Sequence, residues 1–137
     1  MNPRSRARSW VLQVMYGWDM AGDGGVRDWG REALGGRIVS PRYRPYIDQL
    51  LRAVEENLAE CDARIEANMP NWRLDRLSAI DRNILRIATV EMLSVPDVPQ
   101  RVSIHEAIRL AERYGSDDSP GFVNGVLDAV GREIANP

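Results

Sequence analysis

The chain has 137 residues, of which 44% are hydrophobic and 28% charged, and its formal net charge is −2. This size and composition fit one domain that folds without disulfides or metals, and no apolar run is long enough to cross a membrane. The small net charge argues against a protein that coats nucleic acid by bulk attraction. We therefore expect a single cytoplasmic domain over residues 1–137, without a secretory signal.

An amphipathic helix is predicted close to the N-terminus. Apolar residues recur at helical spacing from Trp10 to Trp18, so we expect the first helix over residues 4–20, with a basic arm at about residues 1–8. Glycines dominate residues 21–44, which are therefore expected to be mostly connection, with one short helix between the breakers.

The longest predicted helix opens near Pro45 and ends before Pro70. Its apolar residues recur at three- and four-residue spacing, and a proline cannot continue the hydrogen-bond pattern. After a turn-rich piece that holds Trp72, Ser78 is expected to cap the next helix. That helix has a wide apolar face, which predicts a central position in the fold.

Two more helices complete the chain. Ser103 and Glu106 have the spacing of a capping box, which predicts a helix start near Ser103 and an end at Gly115. The last helix is expected to begin with Ser119 as its N-cap and Pro120 in its first position. The pattern as a whole predicts an all-α fold, a compact bundle of about six to seven helices.

The Asn124-Gly125 pair permits another interpretation of the last segment, because it is also typical of a two-residue hairpin turn. We reject the hairpin, since its first strand would have only two residues after Pro120-Gly121, whereas helical apolar spacing continues to Ile134. Glycine inside a helix costs about 1 kcal/mol relative to alanine. We therefore expect a neighbouring helix to approach Gly125 closely.

The residues that most often carry enzyme chemistry are scarce. Cys61 is the only cysteine and His105 the only histidine, so no internal disulfide and no common zinc site is expected. The sequence has no Gly-x-Ser-x-Gly elbow and no lysine to complete a phosphate-binding loop. We predict a binding protein rather than an enzyme, with no cofactor and no metal.

Three arginines, Arg4, Arg6 and Arg8, precede the first acidic residue, Asp19. Cations at a helix N-terminus oppose the helix dipole by roughly 0.3–1 kcal/mol each, so helix stabilisation does not explain them. Phosphate binding does, and a solvated, unstructured leader is the open alternative. Tyr16 lies about two turns after Arg8, where it can either stack on a base or join the core.

Phe122 is the only phenylalanine, and it falls in the first turn of the last predicted helix, close to Asp118. The usual burial of aromatic residues favours a core position for it. A contact position at the helix end is the alternative.

Four segments of the chain form a recognisable set. They are residues 6–16 (RARSWVLQVMY), 81–91 (DRNILRIATVE), 98–99 (VP) followed by 104–107 (IHEA), and 115–128 (GSDDSPGFVNGVLD). Together they resemble the NusB family of bacterial transcription antitermination factors, with similarity over residues 4–20 and about 74–130. Ser5 and Gly121 depart from the family pattern, in which basic residues occur at or beside these positions.

The resemblance implies an all-helical fold of two packed subbundles that catalyses no reaction. It also implies binding of boxA RNA from ribosomal-RNA leader transcripts together with NusE, a small-subunit ribosomal protein, in a complex that acts on elongating RNA polymerase. The RNA contacts that it implies are Arg4, Arg6, Arg8, Tyr16, Arg82, Arg86, Asp118 and Phe122.

Two rival interpretations are weighed against this one. The helical domain also resembles the N-terminal module of ribosomal-RNA cytosine methyltransferases, but the 137 residues contain no methyl-donor-binding βαβ pattern and no catalytic cysteine motif, which argues against it. The other is a helical scaffold, or a homodimer, with no role in RNA binding.

Overall fold

The computed structural model describes residues 2–136 as six α-helices and one short 3-10 turn. The elements are α1 (Pro3–Ala21), α2 (Val26–Gly35), α3 (Arg44–Ala67), the 3-10 turn (Leu74–Arg76), α4 (Ala79–Ser94), α5 (Gln100–Tyr114) and α6 (Ser119–Ala135). No strand occurs in residues 2–136, which confirms the all-α prediction. Met1 and Pro137, the ends of the predicted domain, lie outside the described residues.

The helices pack as two subbundles that share α4. Helices α1, α2 and α3 contact one another, as do α4, α5 and α6, and α4 also packs against α1 and α3. Ile84, Leu85 and Val90 of α4 are completely buried, and burying side chains of this size stabilises a fold by roughly 1.5–3 kcal/mol each. The predicted central helix and the two subbundles are therefore confirmed. No helix among the described residues has the length and apolar character to cross a membrane.

Helix α1 begins at Pro3, so almost all of the predicted basic arm is helical. The Oδ1 atom of Asn2 accepts the backbone N–H of Ser5 at 2.9 Å and caps the helix. Proline suits the first helical position because the N–H that it lacks would have no partner there. Residues 3–8 are therefore helical and do not form the unstructured leader that the sequence left open. The helix fixes the directions of their side chains.

The starts of α4 and α5 differ in how well the sequence predicts them. Ser78 caps α4 as predicted, since its Oγ accepts the N–H of Asp81 at 3.2 Å. Helix α5 begins at Gln100, so the predicted capping box at Ser103 and Glu106 is wrong. Both residues are buried inside the helix, where they contact other helices instead of their own N-terminus.

Two expectations for α6 also need correction. The helix begins at Ser119 with Asp118 in the N-cap position, one residue earlier than predicted, and the Ser119 Oγ accepts the N–H of Ser116 at 3.0 Å. Ser119 therefore closes the preceding turn instead of capping the helix. A Cβ atom added at Gly125 would meet nothing within 4 Å, so the predicted close approach of a neighbouring helix is wrong.

Candidate nucleic-acid interface

One face of α1 is turned to solvent, and two of the predicted RNA contacts lie on it. Arg6, Gln13 and Tyr16 are exposed, Tyr16 by 42%. At 3.6 residues per turn Arg6 and Gln13 project in nearly the same direction, and Tyr16 is rotated by about 80° from Arg6. Arg6 forms no ion pair with any residue in 2–136. This face therefore offers a ligand an uncompensated cation and an aromatic ring.

Arg4 lies on a different side of α1, next to the connection between α4 and α5. Its Nη1 atom is 3.0 Å from Asp97 Oδ2, and its guanidinium carbon lies 4.5 Å from the centre of the Tyr46 ring. The Arg4 side chain is 41% exposed. An exposed ion pair contributes at most about 1 kcal/mol, so a phosphate can replace Asp97 at little cost.

Arg8 lies in the core and not on the surface. Only 4% of its side chain is exposed, and it donates to Glu91 at 2.9 Å and to Glu106 at 2.7 Å. Burial alone would lower the pKa of Arg8, but the charge and hydrogen bond of Glu91 outweigh it, and the pKa is raised. Three hydroxyl groups also donate to these carboxylates: those of Ser5, Tyr46 and Ser103. This geometry speaks against the predicted phosphate contact; Arg8 instead joins α1 to α4 and α5.

Arg82 and Arg86 are also held by other side chains. Arg86 makes two hydrogen bonds of 2.9 Å to Asp62, and its Nη1 donates to Asp19 at 3.2 Å. Arg82 donates to Asp19 at 2.7 Å and to the Leu77 carbonyl at 2.9 Å. The Arg86 side chain is 10% exposed and the Arg82 side chain is 13% exposed. Both arginines position α4 against its neighbours, which leaves little of either guanidinium for the predicted RNA contact.

Asp19 bridges these two arginines, and its pKa shift makes the bridge testable. Burial alone would raise the pKa of Asp19, but hydrogen bonds from Arg82 and Asn83 and the two guanidinium charges hold the pKa below its ordinary value of 3.8. A lowered folded-state pKa gives stability that is present above the ordinary value and lost as the pH falls through the lowered one.

We expect Asp19→Asn to be less stable than the parent protein at neutral pH and the difference to shrink below about pH 4. Unfolding in urea over a pH series measures it. Asp48→Asn is the control, because Asp48 is exposed on α3 and forms no ion pair within residues 2–136. A stability difference for Asp19→Asn that stays constant into the acid range would contradict the assigned bridge.

Asp118 and Phe122 line a surface pocket of about 290 Å³ together with Trp72 and Arg76. Trp72 is 57% exposed, and its ring centre lies 6.1 Å from that of Phe122 in an edge-to-face arrangement. Phe122 is half-buried and packs against the core. It therefore has features of both positions that the sequence left open, a core position and a contact position at the helix end. Trp72 and Arg76 were missed as candidates. The sequence does contain a signal for Trp72, because this tryptophan lies outside any apolar stripe, two residues after Pro70.

The eight predicted contacts do not form one cluster. Arg4 lies beside Asp97, which follows the C-terminal end of α4, whereas the Phe122 pocket includes Asp81 in the first turn of α4. A helix of 16 residues is about 24 Å long, so the two groups lie at opposite ends of α4. Within residues 2–136 no group of three or more His, Cys, Asp or Glu side chains could hold a metal.

Comparison with known proteins gives a consistent result. Residues 5–132 match the family model described as the NusB family. The chain is 38% identical to the transcription antitermination protein NusB of Sorangium cellulosum (strain So ce56), over 98% of this chain and 95% of that protein. It is similar in structure to T. maritima NusB, with a TM-score of 0.86, 36% identity and coverage of 96% and 92% of the two chains.

A further similar structure contains a nucleic acid. It is the crystal structure of antitermination factors NusB and NusE in complex with dsRNA, with a TM-score of 0.85, 25% identity and coverage of 97% of this chain and 98% of that one. The family match, the identity to a curated relative and the shared fold all point the same way. The chain therefore belongs to the NusB family.

Proposed function

We propose that this chain is a transcription antitermination factor that binds boxA-like RNA together with NusE during ribosomal-RNA transcription. Membership of the NusB family supports the role in antitermination, and the similar structure of NusB and NusE with dsRNA supports RNA and NusE as partners. The observation that carries the proposal is the exposed face of α1, which presents Arg6 and Tyr16. The complex acts on elongating RNA polymerase, and this chain contributes binding without chemical catalysis.

The proposed contacts divide into phosphate-binding and base-stacking residues. Arg4 and Arg6 bind phosphates, which arginine can hold through two parallel hydrogen bonds. Tyr16 and Phe122 stack on bases, as aromatic side chains do in recognition of single-stranded RNA. Asp118 lines the pocket beside Phe122, which we call the stacking pocket. Three predicted contacts act indirectly, by holding α1 and α4 in place: Arg8, Arg82 and Arg86.

Titration of the purified protein with RNA tests the proposal. The ligands are a boxA RNA and a scrambled RNA of the same length, each with and without NusE, at several salt concentrations. We expect a preference for boxA that NusE strengthens. Absence of a boxA preference both with and without NusE would refute the proposed function and favour a helical scaffold. A mass measurement on the same samples tests for a homodimer.

Replacing Arg6 by alanine is expected to flatten the salt dependence of RNA binding. Each phosphate contact to a single strand contributes a slope of about 0.7 in log affinity against log salt, so the slope should fall by about that amount. Stability should stay within about 0.5 kcal/mol of the parent because Arg6 is exposed. Arg52→Ala is the matched control, since Arg52 is exposed on α3. An unchanged slope for Arg6→Ala would remove Arg6 from the phosphate contacts.

A further inference from the structure

A row of basic side chains lies on the outer face of α5. We call it the α5 basic row, and all four of its members are exposed: Arg101, His105, Arg109 and Arg113. A step of four residues advances about 6 Å along a helix and keeps side chains on nearly one face. None of the three arginines forms an ion pair within residues 2–136. The row therefore spreads three uncompensated charges over about 18 Å.

The α5 basic row is one wall of a groove, and α1 is the other. Two pockets of about 270 and 470 Å³ adjoin here, and Ser5 and Arg109 line both of them. One pocket extends to Arg113 and the other to Arg101, so together they form a continuous groove along α5. On the α1 side the lining includes Ser5 and Ser9, whose small side chains leave the groove open.

Negative charge in the groove is weak. Glu106 lies on the floor but is only 8% exposed, and its carboxylate already accepts hydrogen bonds from Arg8 and Ser5. Among the described residues that line the two pockets, Glu112 is the one exposed acid. Three positive charges against one negative charge leave a local excess of two, in a chain whose net charge is −2.

We propose that the groove between α1 and α5 binds the sugar–phosphate backbone of RNA, with Arg101, Arg109 and Arg113 as phosphate contacts. The inference rests on the proposed function and adds a third group of residues to it. Arginine suits this role because its planar guanidinium donates two hydrogen bonds to one phosphate. Three cations spread over about 18 Å fit a polymer with one charge on every unit better than they fit a single anion.

One end of the groove lies beside the N-terminus of α1, and the other lies near the C-terminal end of α5, which leads to α6. Asn2 lines one end of the groove, one helical turn before Arg6. Arg113 lines the other end, and α6, which carries Phe122, begins six residues later at Ser119. An RNA strand in the groove can therefore run from the N-terminal arginines toward the stacking pocket.

The test compares two double variants that each remove two positive charges. Arg109→Gln/Arg113→Gln alters the groove, and Arg42→Gln/Arg52→Gln alters exposed arginines that do not line it. We expect the groove variant to lose about 1.4 units of salt slope, which is about 0.7 for each phosphate contact to a single strand. It should weaken binding to boxA and scrambled RNA by the same factor, because phosphate contacts carry no sequence information. The control variant should keep the parent slope.

Each other outcome has a distinct meaning. An unchanged salt slope in the groove variant, with the boxA preference of the parent protein intact, would refute RNA binding by the groove and leave the proposed function standing. No boxA preference in the parent protein would overturn both. Weaker binding of NusE in the absence of RNA, with an unchanged salt slope of RNA binding, would assign the groove to a protein partner. That result would refute RNA binding by the groove. The single variants Arg109→Gln and Arg113→Gln, each expected to lose about half of the effect, guard against a folding defect in the double variant.

Discussion

Replacing Arg8 by alanine is expected to lower the free energy of unfolding by about 3–5 kcal/mol, because two buried carboxylates lose the cation between them. Glu91 is 1% exposed and Glu106 is 8% exposed, so water cannot readily take the place of the guanidinium. Arg6→Ala is the control within the same helix and should change stability by no more than about 0.5 kcal/mol. Unfolding in urea measures both variants.

The same pair of variants separates a structural role from an RNA contact. The folded fraction of Arg8→Ala should keep the salt slope of RNA binding, whereas Arg6→Ala should lose about 0.7 units of it. Arg8→Met combined with Glu91→Gln and Glu106→Gln should recover part of the lost stability, since no unpaired charge then remains. If Arg8→Ala were as stable as Arg6→Ala, the internal ion pair would not stabilise the fold.

The different fates of the N-terminal arginines follow from helix geometry. Successive residues of a helix are rotated by about 100°, so Arg4 and Arg8 project within about 40° of each other and Arg6 points away from both. The apolar stripe of α1 was visible in the sequence and indicated which side is buried. The helix predicted over residues 4–20 contains all three arginines, but the acidic partners of Arg4 and Arg8 lie on other parts of the fold, which the spacing within α1 does not reveal.

The fold was largely predictable because local signals and burial agree. Prolines and glycines separate the helices, and the continuous apolar face of α4 indicates a helix that is covered on several sides. The capping box failed for a physical reason, since its spacing also suits two residues on one face inside a helix. Ser103 and Glu106 use that spacing to reach Glu91 and Arg8, which lie on other helices.

The candidate site was harder to predict because its charges are paired across the fold. Arg86 is separated from its partner Asp62 by 24 residues, and Arg82 from Asp19 by 63. Nothing in the local sequence distinguishes such a paired arginine from one that is open to a ligand. The α5 basic row has a clear four-residue spacing, but its exposure and its groove depend on how α1 packs.

Replacing Phe122 by alanine is expected to weaken RNA binding by roughly 1–3 kcal/mol, the range for loss of one stacked base. The free energy of unfolding should also fall, but by less than the roughly 3–5 kcal/mol typical of a fully buried aromatic residue, because Phe122 is only half-buried. The two effects are measured separately, by RNA titration and by unfolding in urea.

Phe122→Leu distinguishes stacking from packing. Leucine keeps apolar contact with Trp72 and the core but has no ring face, so stability should stay near that of the parent while most of the RNA affinity is lost. Trp72→Ala provides the complementary case: Trp72 is 57% exposed, and its removal should reduce binding more than stability if both rings form one stacking surface. Parent-like RNA affinity in Phe122→Leu would show that the ring at this position serves packing alone, and RNA recognition would then depend on α1 and the groove beside it.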